Sequence, residues 1–254
     1  MTLVLQSTRP GAEPAWLAVC LGSVRGWADA KGYAYRLIGD ELFEPLPAGF
    51  LDKTAGRLPM ASDLGRLLWI RRLLEEGAGR VVWFDADTLI FDPAGLVLPE
   101  AADHAFGREI WVQRNLKGGL RVYRNIHNAV CLFCDGNAVL DFLIQASRGI
   151  VERAEGPLPP QAIGPKLLTA LGNIVGFPLI EAAGAFSPLV LRDIGAGGGP
   201  ALDLLRRKSP AVPAAANLCA SMLGRVYDGV AVTPDLLEGA IRALLEERVG
   251  LGPA

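Results

Sequence analysis

The chain has 254 residues, of which 51% are hydrophobic and 20% charged, with a formal net charge of −2. This composition is that of an ordinary globular protein, and the slightly acidic balance gives no electrostatic basis for binding nucleic acid. No window reaches the roughly 18 uninterrupted apolar residues of a transmembrane segment, and no basic leader precedes a long apolar stretch. We therefore expect a soluble, cytoplasmic protein that folds as a single domain over residues 1–254.

The first 40 residues predict a strand, a helix and a second strand. The strands are expected at Thr2–Gln6 and Tyr33–Ile38. The helix is expected to begin at Pro14, to carry apolar residues at helical spacing and to end near Lys31-Gly32. This order is typical of the opening of an α/β sheet that binds nucleotides.

The clearest internal helix is predicted from Asp63 to Glu76. Ser62 is a suitable N-cap. Asp63 would lie in the first turn, where the positive end of the helix dipole stabilises an acidic side chain. Arg66 follows Asp63 by three residues, so the two side chains are expected to project onto neighbouring surface at the helix start.

An apolar stretch from Val81 to Phe91 is interrupted by two aspartates, Asp85 and Asp87. The run before Asp85 predicts a strand buried on both faces, so the aspartates fall where the strand ends. Carboxylates are rarely buried without a positive partner, and two of them so close together suggest a hard divalent cation. The alternative is an ordinary strand end, with Asp85 as a cap and Asp87 in solvent.

The second half of the chain is less regular. Strands are predicted at 106–113 and 119–123, with a short apolar run at 128–133. Helices are predicted from Asn137 to Arg148, at 159–171, and after Thr233-Pro234. The glycine-rich stretch 195–200 predicts a flexible loop.

Four cysteines are present, and Cys131 and Cys134 form one C-x-x-C pair. No second pair completes a zinc site. Because their neighbours are apolar, we interpret both as unreactive thiols of the core.

Two segments together resemble the sugar-binding region of GT-A glycosyltransferases. Ala61 to Arg66 contains Ser-Asp-x-x-Arg before a leucine-rich helix, and Val82 to Asp87 ends in Asp-x-Asp. The resemblance is closest to the family 32 type, which includes mannosyltransferases and capsular polysaccharide enzymes. Asn128-Ala129, Gly164-Pro165 and Leu168-Thr169 extend it.

The resemblance implies an α/β fold of the GT-A type, with a central mixed, mostly parallel sheet and helices on both faces. It implies transfer of a sugar from a UDP- or GDP-linked donor to an unknown glycan, lipid or protein acceptor, with retention of anomeric configuration. Mn²⁺ or Mg²⁺ would be the cofactor, because such ions accept one or two carboxylates together with phosphate oxygens.

The resemblance also implies roles for individual residues. Asp87 would be a direct metal ligand, and Asp85 would reach the metal or the ribose and sugar of the donor. Asp63 and Arg66 would contact hydroxyls of the donor sugar. The alternative for this pair is an intrahelical salt bridge worth about 0.3–0.5 kcal/mol.

Five further residues are weaker candidates. Asn128 is expected to face the sugar, unless it is a turn residue at a strand end. Gln6, Ser7 and Thr8 follow the first strand, where GT-A folds hold the nucleotide base. No histidine follows residue 127, so Asn217 is the best late candidate for a third metal ligand, although a helix cap is the alternative.

Other parts of the chain are assigned only in outline. Lys166 or Arg9 would meet phosphates, with a solvated surface position as the alternative for either. Acceptor specificity is expected in residues Gly195 to Pro213 and Phe106 to Arg124.

Two other functions compete with this prediction. Haloacid-dehalogenase-type phosphatases have an Asp-x-Asp-x-Thr motif near the N-terminus, whereas Thr88 here comes one place too early and the later acidic pair is missing. A catalytically inactive GT-A-like binding module is the non-enzymatic alternative. The intact set of Asp63, Arg66, Asp85 and Asp87 argues against it.

Overall fold

The computed structural model describes residues 1–9, 11, 13–159 and 161–252. The strands are β1 (Thr2–Ser7), β2 (Ala34–Ile38), β3 (Arg80–Phe84), β4 (Thr88–Ile90), β5 (His104–Arg114), β6 (Leu120–Cys134), β7 (Leu179–Ile180), β8 (Ala183–Ala185), β9 (Ala215–Asn217), β10 (Val226–Tyr227) and β11 (Val230–Ala231). The helices are α1 (Ala15–Ala30), α2 (Phe50–Lys53), α3 (Leu58–Glu75), α4 (Ala138–Glu152), α5 (Pro165–Val175), α6 (Pro188–Gly195), α7 (Pro200–Lys208) and α8 (Pro234–Leu245).

The central sheet has the strand order β2-β1-β3-β6-β5-β7. β1 is parallel to both β2 and β3, β6 is antiparallel to β3 and β5, and β7 is parallel to β5. Three of these five pairings are parallel. The predicted fold class, α/β with a mixed and mostly parallel central sheet, is therefore confirmed.

Helices cover both faces of this sheet, and β3 buries alternate side chains against the helices on each face. Val82 and Phe84 pack with residues of α1, whereas Val81 and Trp83 pack with residues of α3. All four side chains are almost completely buried, each contributing about 1.5–3 kcal/mol through the hydrophobic effect. The prediction of a strand buried on both faces is confirmed, and the strand ends immediately before Asp85.

A smaller sheet of order β4-β9-β8 lies beyond the end of β3. β4 is antiparallel to β9, with Thr88 opposite Asn217, and β8 is parallel to β9. Residues of β4, β9, α6 and α8 share one hydrophobic core. This sheet therefore brings residue 217 beside the aspartates that precede β4.

The prediction that Ser62 caps α3 was wrong. The helix begins one turn earlier, at Leu58, with Arg57 in the N-cap position and Pro59 in the first turn. Proline is favoured there because its fixed φ angle suits a helix and it has no N–H group to leave unpaired. Asp63 consequently lies in the second turn and is buried, so it neither projects onto the surface nor caps the helix.

Two other boundaries differ from the prediction. The strand expected at 119–123 and the short apolar run at 128–133 are parts of the single 15-residue strand β6. The helix expected from 159 begins at Pro165, with Gly164 as its N-cap. The expected cap of α4 is confirmed, since the Asn137 side chain accepts a hydrogen bond from the backbone N–H of Leu140. The single-domain assignment stays a prediction. Among the described residues, no helix combines the length and apolar character required for crossing a bilayer.

Candidate functional site

A cavity of about 820 Å³ opens where β3 ends. Its volume lies in the range of 300–1,000 Å³ that is typical of small-molecule sites. Its polar lining residues are Ser7, Arg57, Ser62, Asp63, Arg66, Asp85, Asp87, Asn128, Gln161, Lys166, Asn217, Ser221, Arg225 and Tyr227. The predicted residues Ser7, Asp63, Arg66, Asp85, Asp87, Asn128 and Asn217 thus come together around one cavity.

Arg66 joins the helix, the strand end and β6. Its Nη1 lies 3.2 Å from Asp85 Oδ1 and its Nη2 lies 3.4 Å from Asp63 Oδ1. Nη1 also donates to the backbone oxygen of Asn128 at 2.5 Å. The guanidinium lies 5.2 Å from the centre of the Trp83 ring. The pair of Asp63 and Arg66 is therefore a salt bridge, but a buried one within a larger network.

The Asp63 carboxylate is positioned beside the cavity by the neutral side chain of Asn128 as well as by Arg66. Asn128 Nδ2 donates to Asp63 Oδ1 at 2.8 Å. Burial raises the pKa of the Asp63 carboxyl to about 6, with Arg66 and Asn128 opposing the rise. Gly164 lies against this carboxylate, because a Cβ atom at residue 164 would be 2.4 Å from Asp63 Oδ2.

Asn128, which faces Asp63, lies in a β-bulge of β6. The register between β5 and β6 shifts after Phe106, so that Gly107 pairs with His127 and residues 128–130 have no partner on β5. A side chain at residue 107 would collide with the His127 ring. His127 is fully enclosed, its Nε2 lies 3.0 Å from the carbonyl oxygen of Ala183, and burial lowers its pKa to about 4. It supports the bulge as a neutral side chain.

Asp85 keeps one carboxylate oxygen available. Oδ1 accepts from Trp83 Nε1 at 2.7 Å and pairs with Arg66. Oδ2 has no hydrogen-bond partner among the described residues, and the side chain is 26% exposed. The backbone of Asp85 is fixed from both sides, since its N–H donates to the Ala129 oxygen and its oxygen accepts from Gln6 Nε2.

Asp87 is oriented by groups 130 or more residues later in the chain. Asn217 Nδ2 donates to Asp87 Oδ1 at 2.6 Å, and the backbone N–H of Ala220 donates to Oδ2 at 2.7 Å. Burial, and then the negative charge of Asp85, raise the pKa of Asp87 to about 6. Each oxygen retains one further lone pair for a ligand.

Asn217 lies beside Asp87 and orients its carboxylate. Its side-chain oxygen accepts from the backbone N–H of Cys219 at 2.8 Å, and its nitrogen faces Asp87. The side chain does not cap the short helix that follows, whose N-cap residue is Cys219. The role of Asn217 as a third metal ligand stays a prediction.

The donor set fits a divalent cation that takes most of its ligands from phosphate and water. Asp63, Asp85 and Asp87 place three carboxylates against one guanidinium, so the cluster carries excess negative charge when all are ionised. Mg²⁺ and Mn²⁺ need only one or two protein carboxylates. In the described part of the chain, no group of three His, Cys, Asp or Glu side chains is placed to hold a metal ion by itself.

Three cationic side chains, Arg57, Lys166 and Arg225, also line the cavity. They come from the start of α3, the first turn of α5 and the segment before β10. Arg57 is anchored through a hydrogen bond to the backbone oxygen of Leu158. Of the three, only Lys166 was predicted from the sequence to meet phosphates, because isolated arginines outside any periodic pattern give no signal.

The remaining candidates lie elsewhere. Gln6 is fully buried. Its side-chain nitrogen donates to the backbone oxygen of Asp85, and it does not line the cavity. Thr8 and Arg9 are not lining residues, and Arg9 instead pairs with Asp40 at 3.5 Å. No residue of 195–213, which is described throughout, lines this cavity. Cys131 is buried and free, and burial raises the pKa of its thiol to about 12, in agreement with an unreactive core residue.

No protein-family model matches the chain, and no curated protein sequence matches it. Among solved structures, the chain is similar to a glycosyltransferase involved in the glycosylation of the major capsid of PBCV-1. The match has 13% identity and a TM-score of 0.35, and covers 62% of this chain and 68% of the other. A likeness of this size indicates no activity, so the function has to be inferred from the residues of the site.

Proposed function

We propose that the protein is a metal-dependent glycosyltransferase that moves a sugar from a nucleotide-diphosphate sugar to an acceptor. The observation that carries this proposal is the lining of the large cavity. Two carboxylates at the end of β3, Asp85 and Asp87, share that cavity with the cations Arg57, Lys166 and Arg225. A departing diphosphate gains negative charge. A divalent cation held by carboxylates stabilises that charge, and so do cationic side chains that bind the phosphate oxygens.

Asp85 and Asp87 would hold Mg²⁺ or Mn²⁺, which as a Lewis acid neutralises charge on the departing diphosphate. Asp85 offers its free Oδ2, and Asp87 offers an oxygen already oriented by Asn217 and Ala220. Because both carboxylates are fixed before binding, little conformational entropy is lost on binding. The three cations would bind and orient the phosphate oxygens from the other walls.

Asp63, Arg66 and Asn128 would hold the donor sugar. Carboxylate, guanidinium and amide groups together supply both acceptors and donors for sugar hydroxyls. Their mutual hydrogen bonds keep them in place without the ligand. Ser7, at the end of β1, would lie on the nucleotide side. A retaining transfer, and a UDP- or GDP-linked donor, follow from the family 32 resemblance.

The test is a thermal-shift series with UDP- and GDP-sugars, each with and without Mn²⁺. Binding adds RT ln(1 + [L]/Kd) to the free energy of unfolding, so the correct donor should raise the melting temperature in a metal-dependent way. The near-isosteric Asp87→Asn variant should lose this effect and also metal-dependent hydrolysis of the donor. Asp141→Asn, at an exposed site on α4, is the matched control.

Two results would contradict the proposal. One is that no UDP- or GDP-sugar raises the melting temperature, with or without Mn²⁺. The other is metal-dependent turnover that survives unchanged in Asp87→Asn.

A further inference from the structure

A second, smaller cavity of about 230 Å³ adjoins the first. Its walls are Trp111 and Gln113 on β5, Ser187 at the start of α6, and Tyr227 and Asp228 on the β10–β11 hairpin. Tyr227 lines both cavities, so a ligand in the second cavity would lie next to one in the first.

The start of α6 presents donors that the protein leaves unused. Ser187 is the N-cap residue, yet its side chain makes no capping bond, and its hydroxyl has no partner among the described residues although it is only 1% exposed. The backbone N–H group of Leu189, which also lines the cavity, likewise donates to no described group. A buried polar group without a partner destabilises the protein, because it has lost its hydrogen bonds to water. Oxygen atoms of a bound ligand would satisfy these groups.

The opposite wall offers an acceptor in a fixed position. Asp228 and Gly229 form the two-residue turn of the hairpin with φ angles of 49° and 79°, as in a type I′ turn. Asp228 Oδ2 accepts from the backbone N–H of Arg114 at 2.8 Å, which ties the turn to β5. Asp228 Oδ1 accepts no hydrogen bond from a described residue.

The third wall is aromatic. Trp111 is half-buried and lies directly opposite Tyr123 on β6. A flat indole surface beside polar groups suits the apolar C–H face of a sugar ring, whose hydroxyls then reach the surrounding donors and acceptors. Among the described residues, no arginine or lysine lines this cavity, in contrast to the first, so a phosphate-bearing ligand is disfavoured.

We infer that the second cavity is the acceptor subsite and that the acceptor end is an uncharged sugar ring. Its volume is below that of drug-sized sites, which limits the occupant to about one ring. The carboxylate of Asp228 would accept from ring hydroxyls, and the Ser187 hydroxyl with the backbone N–H of Leu189 would donate to ring oxygens. Calling the ring an acceptor rests on the proposed function, whereas sugar binding at this cavity does not.

Saturation-transfer NMR with free glucose, galactose, mannose and N-acetylglucosamine tests the inference without any donor. At least one of these should receive saturation from the wild-type protein. Asp228→Asn keeps an acceptor for Arg114 but removes the charge, and Ser187→Ala removes only the hydroxyl. Each should weaken binding of that sugar about tenfold, as expected for the loss of one hydrogen bond to a ligand hydroxyl. Asp141→Asn is the control, and unchanged circular dichroism verifies the fold.

Absence of saturation transfer to all four sugars would overturn the inference, as would equal binding in wild type and both variants. Donor hydrolysis, measured in parallel, separates the two hypotheses. Loss of sugar binding with intact metal-dependent hydrolysis in the variants supports the subsite and leaves the proposed donor site intact. Sugar binding by a protein that hydrolyses no donor would contradict only the proposed function.

Discussion

Arg66 Nη1 lies 3.2 Å from Asp85 Oδ1, and this ion pair joins the middle of α3 to the end of β3. The Arg66 side chain is only 5% exposed and that of Asp85 is 26% exposed, so the guanidinium group is largely removed from water. Arg66 therefore has two roles. It offsets the charge of the neighbouring carboxylates, and it fixes the edge of the site relative to the helix.

Replacing Arg66 by methionine should strongly destabilise the protein. The change leaves Asp63 and Asp85 without their cation, and breaking a buried ion pair costs about 3–5 kcal/mol. Urea denaturation should show a lower midpoint with an unchanged m-value. Arg72→Met on the same helix is the control, because Arg72 is half-exposed and its bond to Glu76 is worth at most about 1 kcal/mol. Equal losses in both variants would contradict the buried network.

The pH dependence of stability should reveal Asp63. Its pKa in the folded protein is raised to about 6, against about 3.9 in the unfolded chain. Between these values the folded state binds more protons, so the contribution of Asp63 to the free energy of unfolding is complete below pH 4 and is lost as the pH rises through 6. Asp63→Asn removes this titration. Relative to wild type, the variant should therefore gain up to about 3 kcal/mol between pH 4 and 7.

Denaturation of both proteins across this pH range is the measurement, with the exposed Asp141→Asn as control. Parallel curves for wild type and Asp63→Asn would contradict a raised pKa at this residue.

Gly164→Ala should damage the site through Asp63. The added methyl group would lie 2.4 Å from Asp63 Oδ2, so either the carboxylate or the start of α5 must move. Such overpacking costs about 1–3 kcal/mol and should also weaken donor binding. Gly26→Ala, in the middle of α1 with no atom near the new methyl group, should instead stabilise the protein by about 0.5–1 kcal/mol. Opposite signs in thermal denaturation are expected, and a neutral Gly164→Ala would argue against the close contact.

Arg57→Gln and Lys166→Gln should each weaken binding of UDP or GDP by about tenfold in the presence of Mn²⁺. The reason is that each loses a charge-assisted hydrogen bond to a phosphate oxygen. Titration calorimetry measures the effect, which should shrink at high salt. Lys208→Gln, at the exposed end of α7, is the charge-matched control. Equal nucleotide affinity in all three variants would contradict phosphate binding by Arg57 and Lys166.

The sequence alone determined the elements whose signals are local. The apolar run before Asp85 required a strand buried on both faces, and the carboxylates had to follow where it ended. The spacing of Asp63 and Arg66 predicted that their side chains would be neighbours, because residues three apart meet on a helix, and their charged groups lie 3.4 Å apart.

Only the tertiary structure decided what surrounds those carboxylates. Asn217 meets Asp87 across 130 residues, through the pairing of β4 with β9, and Asn128, in a bulge of β6, faces Asp63. Arg57, Lys166 and Arg225 join the same cavity from three separate segments. Neither strand pairing between distant segments nor a register shift leaves a periodic trace in the sequence, since both depend on which surfaces pack together. The prediction for the start of α3 was wrong for a related reason. Ser62 suits an N-cap by its local sequence, but the helix already begins at Leu58, with Pro59 in its first turn, so Ser62 lies inside the helix beside the buried Asp63.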